Sequence, residues 1–477
     1  MKGKTLKLLL IAPTQPTVDE YSASIGTTLY SAPVLAVHRL QQYIEHTSTH
    51  TVDVFDNIIE GDIDPAVFNN YDYIGFSITS YSLTNDLKLM QKAYETNPSA
   101  VLIAGGVAAT LDFATIFRKS KVTYVVLGYG ERQLLSILNG ESDIPGVISR
   151  KFALPITNEE LSSYYLNMDF SRLNYERYWK RVEDLHVNPP YDRIRTVRLV
   201  TSSHCNKKCS FCSVRSWAEM ATGQHCNVAM LSAPDLIQLI KNIQRDVPTA
   251  RSIYFCEDDF LENKQRAVDY MKFAATTGLR HMIQTHSSRI KDQDTIKMLA
   301  EGNTKIITLG IESVIPRVLR TMDKQNDIEH LPQVITWCKE LGIEPHLLII
   351  LFCQDITINE LLETAKILRK LIDLGASISI NPNLYPYPGS TLYDSKYEAA
   401  QELEDLGNHV TLKKEAYVYC NDPIVRQVQI AFSERLNDYV ISHTDETVAK
   451  NRNQSKSVAE SLLLDLLEEI IMEKTNA

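Results

Sequence analysis

Two successive series of short apolar strands, each strand followed by an amphipathic helix, run through most of this 477-residue chain. Strands that alternate with helices form parallel sheets, because each helix returns the chain to the starting edge of the sheet. The first series predicts a doubly wound, Rossmann-like α/β domain over residues 1–140. Its strands are expected at 6–12, around 52–54, and at 73–79, 101–104 and 122–127, with a helix at 33–45.

The second series predicts a partial (βα)6 TIM-type barrel over residues 194–395, whose chemistry belongs at the carboxyl ends of its strands. A proline-containing stretch without sustained periodicity, 141–193, predicts a packed linker that includes Pro189 and Pro190. Residues 396–477 predict a helical C-terminal region with a closing amphipathic helix at 457–472. The barrel strands are expected at 196–201, 252–256, 281–285, 305–309, 346–351 and 377–381, and three of its helices at 233–246, 263–276 and 358–373.

Composition excludes several classes of protein. The net charge is −10 with both signs interspersed, which does not indicate a partner such as nucleic acid or an anionic membrane. The N-terminal apolar run ends at Pro13, and no apolar run approaches the ~20 residues that span a bilayer. Eight cysteines, most of them scattered, do not form a secreted disulfide framework. These features predict a soluble cytoplasmic protein.

Three of the cysteines, Cys205, Cys209 and Cys212, lie within eight positions directly after the first predicted barrel strand. Three soft thiolate ligands on one loop suit an iron-sulfur cluster. A closed structural zinc site is the alternative, and it would take its fourth ligand from His204 or Cys226. The remaining cysteines lie in separate elements and are expected to be small buried residues.

The CxxxCxxC spacing, with Phe211 just before the last cysteine, resembles the signature of the radical S-adenosylmethionine (SAM) superfamily. The resemblance implies a [4Fe-4S] cluster on the three cysteines, with one iron chelated by the amino and carboxylate groups of SAM. It also implies a contact of Phe211 with SAM, an electron donor such as flavodoxin or ferredoxin, and reductive cleavage of SAM to a 5′-deoxyadenosyl radical. The protein supplies position and shielding.

Further strand ends fit this resemblance. Glu312, in a Gly-Ile-Glu-Ser segment, is similar to the glutamate that faces SAM in the family, although Ser313 could instead cap a helix. Glu257 and Asp258 occupy the position where members contact the methionine amino group, although Asp259 could cap the next helix. The segment 385–390 resembles the PYPGT turn of the family, whereas 351–358 departs from its usual sequence.

The first domain, the linker and the barrel together resemble the cobalamin-binding class of this superfamily over residues 5–395. The implied cobalamin-binding residues are all at predicted strand ends: Ser77, Thr79, Gly105, Gly106, Gly128, Gly130 and Glu131. Glycines let the backbone approach a flat corrin closely, but these glycines could also serve only to turn the chain. The first loop lacks a DxHxxG motif, and His38 is expected to be a surface histidine on a helix. Cobalt is therefore expected to have no protein histidine as a ligand.

The resemblance predicts a cobalamin-dependent radical SAM methyltransferase that acts on an unactivated carbon of a small-molecule biosynthetic intermediate. A radical rearrangement, cyclisation or ring contraction without methyl transfer is the alternative. An iron-sulfur electron-transfer or metal-binding protein is a second alternative from a different class. The sequence identifies neither the substrate, nor a catalytic residue, nor the oligomeric state. Tyrosines and arginines of the tail, such as Tyr417 and Arg435, are expected to pack under the barrel.

Overall fold

The computed structural model describes residues 5–14, 32–80, 82–148, 154–185, 195–222, 224–393, 399–405, 411–443 and 452–475. Pro189 and Pro190 of the predicted linker lie outside these ranges. Within them, no helix combines the length and the apolar character needed to cross a bilayer.

The first domain contains a five-stranded sheet in which every pairing is parallel and the strand order is β2-β1-β3-β4-β5. The chain therefore winds first to one side of β1 and then to the other, which confirms the predicted doubly wound fold. Ligands of such sheets bind beyond the carboxyl ends of the strands, where the winding direction reverses. The strands are β1 (Lys7–Ile11), β2 (Thr51–Phe55), β3 (Tyr73–Ser77), β4 (Val101–Gly105) and β5 (Tyr124–Val125).

Helices cover both faces of this sheet, because its strands are apolar on both sides. Ile44 and Leu134 belong to the core on one face, and Met90 and Ile116 belong to the core on the other. The helices are α1 (Leu35–Thr47), α2 (Asn57–Glu60), α3 (Leu83–Thr96), α4 (Val107–Leu111), α5 (Phe113–Lys119) and α6 (Glu131–Leu138), with a 3-10 turn at Pro65–Asn70.

Residues 154–185 hold two helices, α7 (Asn158–Leu166) and α8 (Tyr175–Leu185), joined through a 3-10 turn at Phe170–Leu173. Leu161 and Trp179 are fully buried within the same hydrophobic core as the barrel. This part of the predicted linker is therefore a structural layer of the barrel. No single period appears in its sequence because two short helices are interrupted by a 3-10 turn.

The second domain is a six-stranded sheet in which all pairings are parallel and neighbours in sequence are neighbours in space. This order confirms the predicted partial barrel. Its strands are β6 (Thr196–Leu199), β7 (Ser252–Phe255), β8 (Arg280–Thr285), β9 (Thr304–Glu312), β10 (Glu344–Phe352) and β11 (Ser377–Asn383). The helices are α9 (Val214–Thr222), α10 (Ala233–Asp246), α11 (Lys264–Ala274), α12 (Gln293–Glu301), α13 (Pro316–Thr321), α14 (Leu331–Glu340) and α15 (Ile358–Asp373), with 3-10 turns at Phe260–Glu262 and Ser287–Arg289.

The C-terminal region is mostly helical, as predicted, but it also contains a two-stranded hairpin that the sequence did not predict. Strands β12 (Ala399–Asp405) and β13 (Thr411–Val418) form an antiparallel hairpin before α16 (Pro423–His443) and α17 (Arg452–Thr475). The hairpin was missed because its stabilisation comes from pairing between strands, which local periodicity does not report. The predicted closing helix is confirmed, and Leu464 and Ile470 of α17 complete the barrel core.

Candidate active site between the two sheets

The carboxyl ends of the strands in both sheets border one cavity of about 570 Å³. Pro13 after β1 and Ser77 at the end of β3 line it from the first domain, whereas Arg198 of β6 and Cys256 after β7 line it from the barrel. Both parallel sheets thus present their ligand-binding edges to the same space. A ligand bound in this cavity would therefore lie beside the carboxyl ends of the barrel strands, where the barrel chemistry is expected.

Six of the seven predicted cobalamin-binding residues line this cavity: Ser77, Thr79, Gly105, Gly106, Gly128 and Gly130. At Gly106, the backbone has a φ of +93°, and an added Cβ would lie 2.7 Å from the carbonyl oxygen of Ile78. The hydroxyl of Thr79 is 2.9 Å from the hydroxyl of Ser82. Gly106 is therefore required by the contact between neighbouring strand ends, whether or not a ligand is bound.

Glu131, the seventh residue, lies behind the cavity wall, where it is fully buried and forms a short ion pair with Arg39. The Arg39 guanidinium lines the cavity and lies over the ring of Tyr129, with 4.8 Å between its central carbon and the ring centroid. Burial opposes the charge of Arg39, but Glu131, together with Tyr165 and Tyr129, more than offsets this effect, so the pKa of Arg39 is raised. Glu131 thus neutralises a cation at the cavity wall.

Trp217 of α9 forms part of the barrel side of the cavity, close to the three cysteines in sequence. Its ring lies edge-on to Tyr129, with 5.5 Å between the centroids. The indole Nε1–H is buried and has no hydrogen-bond partner among the described residues. A buried donor without an acceptor costs free energy, and a ligand with hydrogen-bond acceptors in the cavity would remove that cost.

The cysteine loop is held from two sides. The backbone N–H of Ser210 donates to the carbonyl of Met322 after α13 (2.9 Å), and the N–H of Leu392 donates to the carbonyl of Ser210 (2.8 Å). Leu392 follows the predicted Pro-Tyr-Pro-Gly turn, so that turn positions the loop. Burial raises the pKa of Cys205 to about 12 and of Cys212 to about 11. Thiolates at these positions need a nearby cation, and cluster iron would supply it.

Glu312 lies at the end of β9 beside the cysteine loop, with a left-handed φ of 65°. Its carboxylate accepts a hydrogen bond from Lys324 Nζ at 3.1 Å. An added Cβ on Gly310 would lie 2.8 Å from the Glu312 carboxylate, so glycine makes room for this pair. Ser313 does not cap a helix: α13 has Ile315 at its N-cap, and the Ser313 hydroxyl accepts from the Ile315 N–H at 3.1 Å.

Of the three acidic residues after β7, two bind neighbouring side chains. Glu257 is buried against Arg266, 3.2 Å away. Asp259 accepts from the hydroxyl of Thr285 at 2.6 Å and makes no helix-capping bond, which corrects the capping alternative. Asp258 instead acts electrostatically on the thiols of the cysteine loop. Burial, with the charge of Glu257, raises the pKa of Asp258 to about 6.

Residues 199–368, which include the cysteine loop and most of the barrel, match the model of the Radical SAM superfamily. The barrel belongs to the radical SAM superfamily. A radical SAM barrel makes the protein an enzyme, and this barrel implies a [4Fe-4S] cluster and SAM as cofactors. The donor set of three thiols fits such a cluster.

The similarity of this chain to one curated relative and two solved structures extends beyond the radical SAM barrel. The chain is 25% identical over 415 residues to a Pyrococcus horikoshii protein described as the uncharacterized methyltransferase PH0819, covering 84% of each chain. OxsB, a cobalamin-dependent radical SAM enzyme, has the same fold with a TM-score of 0.67, 14% identity, and coverage of 96% of this chain and 72% of that one. The methyltransferase TsrM from Kitasatospora setae gives a TM-score of 0.59, 14% identity, and coverage of 81% and 75%.

The structure also tests the alternatives for the radical SAM loop. His204, which with Cys226 was a candidate for the fourth ligand of a zinc site, has its Nδ1 2.8 Å from the hydroxyl of Ser203. His38 is not a surface residue, because both its ring nitrogens are buried, and burial lowers its pKa to about 4. Helical periodicity alone could not show that residues 154–185 cover this part of α1.

Several residues of the site escaped sequence reasoning. Lys324 and His286 flank the radical SAM loop, and Arg39, Tyr129 and Trp217 line the cavity. His286 directly follows β8, and this position at a strand end is the sequence signal that marks it. Tyr129 lies inside the glycine-containing segment 127–131 that was already recognised. Nothing local marks Arg39 or Trp217, because their partners are distant in sequence.

Proposed function

We propose that this protein is a cobalamin-dependent radical SAM methyltransferase that acts on an unactivated carbon of a small molecule. The observation that carries the proposal is the single cavity bordered by the strand ends of both sheets and adjoining the cysteine loop. A cobalamin bound to the first domain in this cavity would lie next to the radical SAM chemistry of the barrel. The name of the Pyrococcus horikoshii relative and the titles of the OxsB and TsrM structures support the same assignment.

The residues divide between the cofactors. Cys205, Cys209 and Cys212 would hold the cluster. Phe211 and Glu312 would bind SAM, and we assign the methionine amino group to Asp258 because Glu257 already pairs with Arg266. The cavity-lining strand ends, with the unpaired Nε1–H of Trp217, would bind cobalamin. They are Ser77, Thr79, Gly105, Gly106, Gly128 and Gly130, and Glu131 would act through Arg39.

When bound, SAM and the cluster supply radical chemistry and cobalamin supplies the methyl group. The chain itself has to keep water out and hold the ligands in register. The aromatic rings of Tyr129, Tyr165 and Trp217 close one side of the cavity with apolar surface. Glu131 balances the charge of Arg39, so the wall is polar without a net charge from this pair. A flavodoxin or ferredoxin would deliver the electron that starts each turnover.

Anaerobic purification of the full chain with cobalamin tests the cofactor assignment. We expect the visible spectrum to show both a corrinoid and an iron-sulfur cluster, and reduction with SAM to release 5′-deoxyadenosine. Cys209→Ala should lose most of its iron, because a cluster needs all three thiolates. Cys226→Ala, a half-buried cysteine nearby, should keep its iron. Loss of metal in both variants would favour the closed zinc site, and an iron protein that never cleaves SAM would favour an electron-transfer role.

Methyl transfer is tested with SAM that carries a CD3 group and extracts of candidate biosynthetic intermediates. A product heavier by the labelled methyl is expected. A transformed product without label would instead establish a rearrangement, cyclisation or ring contraction, which the same fold could perform.

A further inference from the structure

His286 directly follows β8 and faces the same side of the barrel sheet as the predicted SAM-binding residue Glu312. Side chains alternate along a strand, so His286 shares a face with Gln284. Gln284 lies opposite Thr308 of β9, and the same alternation places Gly310 on the face of Thr308. A Cβ added to Gly310 would lie 2.8 Å from the Glu312 carboxylate, so the Glu312 side chain reaches this face across the bulge at the end of β9. His286 therefore belongs to the inner wall of the barrel mouth.

The ring of His286 is held by a local hydrogen bond that determines its tautomer. The side chain is buried, with 5% exposed, and its Nδ1 accepts a hydrogen bond from the backbone N–H of Ser288 at 3.3 Å. The Ser288 hydroxyl lies 2.7 Å from the same nitrogen and can donate to it as well. A backbone N–H can only donate, so Nδ1 carries no proton. Burial, with the charges of Lys324 and Lys207, lowers the pKa of His286 to about 4. The ring is therefore neutral at physiological pH, and its single proton is on Nε2.

This Nε2–H is buried and has no hydrogen-bond partner among the described residues. The neighbouring backbone is fixed, because the Ser287 hydroxyl donates to the Asn326 side chain at 2.7 Å and Asn326 donates to the carbonyl of Ile311 at 2.8 Å. The ring consequently cannot relieve the missing bond by a simple shift of its loop. An acceptor supplied by a ligand would satisfy it.

The surrounding charges indicate which acceptor fits. Lys207 belongs to the cysteine loop, and Lys324 pairs with Glu312 beside it. Both lysines are close enough to His286 to disfavour its protonation. The anionic Asp259 also acts on His286, but Arg289 pairs with it at 2.8 Å. The two lysines and the neutral N–H donor therefore favour a negatively charged oxygen. In SAM, the only anionic group is the methionine carboxylate.

We propose that the Nε2–H of His286 donates a hydrogen bond to the methionine carboxylate of SAM, which makes His286 a SAM-binding residue contributed by the third barrel strand. The inference rests on the radical SAM assignment and deepens it. It does not depend on cobalamin or on the identity of the substrate.

Two variants of His286 test the roles of its two ring nitrogens separately. In His286→Asn, the amide oxygen can still accept from the Ser288 N–H, but no group reaches the position of Nε2. In His286→Gln, the longer amide places an N–H near Nε2. Equilibrium dialysis of radiolabelled SAM against the anaerobically reconstituted full chain should give a Kd about tenfold higher for His286→Asn, or about 1.4 kcal/mol. The Kd of His286→Gln should stay within about threefold of the parent protein, and iron content should be unchanged in both.

Decarboxylated SAM identifies the acceptor. The parent protein and His286→Asn should bind this probe with the same affinity, because the carboxylate is missing in both measurements. The proposal is overturned if His286→Asn binds SAM like the parent, if both variants lose affinity equally, or if the Asn defect persists with decarboxylated SAM. A parent protein that holds its iron but binds no SAM would instead contradict the radical SAM assignment itself.

Discussion

At the scale of single residues, two glycines shape the site, because a side chain at either position would collide with neighbouring atoms. Gly310 leaves room for the Glu312–Lys324 pair, and Gly106 allows two strand ends to touch. The alternative interpretation of the first-domain glycines, that they only turn the chain, therefore holds in part for Gly106. Its position on the cavity wall means that the same close contact also shapes the proposed cobalamin site.

Gly106→Ala tests this structural requirement against a matched glycine. Gly61 also has a left-handed φ, of +78°, but an added Cβ there would contact nothing within 4 Å. Gly61→Ala should lose about 1–2 kcal/mol of unfolding free energy from backbone strain alone. Gly106→Ala should lose at least about 1 kcal/mol more from the clash with Ile78. Urea unfolding of both variants measures the difference, and equal losses would disprove the steric requirement.

At the scale of elements, short polar links fix the segments around the barrel mouth. The first residues of α15 form a capping box, in which Thr357 and Glu360 exchange side-chain and backbone hydrogen bonds. Glu360 also pairs with Arg317 of α13 at 2.6 Å, and Arg317 donates to the carbonyl of Asp355. These bonds connect the segment after β9 with the segment after β10, and the first of these segments directly follows Glu312.

Glu360→Gln should destabilise the protein by about 1 kcal/mol at pH 7. The hydrogen bond from Arg317 is the main cause that lowers the pKa of Glu360 to about 2. A lowered pKa contributes stability above the unfolded-state value of about 4.3, and this contribution disappears as the pH falls toward 2. In urea unfolding, the difference in unfolding free energy between Glu360→Gln and the parent protein should thus be smaller at pH 4 than at pH 7. Exposed Glu363→Gln on the same helix should show little effect at either pH.

At the scale of the whole molecule, residues 154–185 join the two domains. Trp179 and Tyr165 lie in the barrel core, and the Tyr165 hydroxyl donates to the carbonyl of Val200 at 2.5 Å. The same segment reaches the first domain, where the Gln42 side chain donates to the Asp169 carbonyl at 3.1 Å. Because the cavity lies between the domains, this layer determines how the two halves of the site are positioned.

Trp179→Ala should cost about 3–5 kcal/mol of unfolding free energy, because the indole is fully buried. Trp337→Ala removes the same side chain from a half-buried position on α14 and should cost clearly less. Unfolding followed by far-UV circular dichroism compares the two without depending on tryptophan fluorescence. Similar losses in the two variants would show that the 154–185 layer does not form part of the barrel core.

The sequence by itself determined most strands and helices of the two sheets and the reactive loop. Periodicity predicted α10 and α15 at their observed bounds, since apolar spacing records which face of a helix is buried. The spacing of Cys205, Cys209 and Cys212 identified the radical SAM loop, because neighbouring ligands are encoded locally. Only the tertiary structure decided that Glu257 pairs with Arg266, that Glu131 neutralises Arg39, and that β12 pairs with β13. These interactions join residues whose contact depends on how the chain folds back on itself, so no local pattern records them.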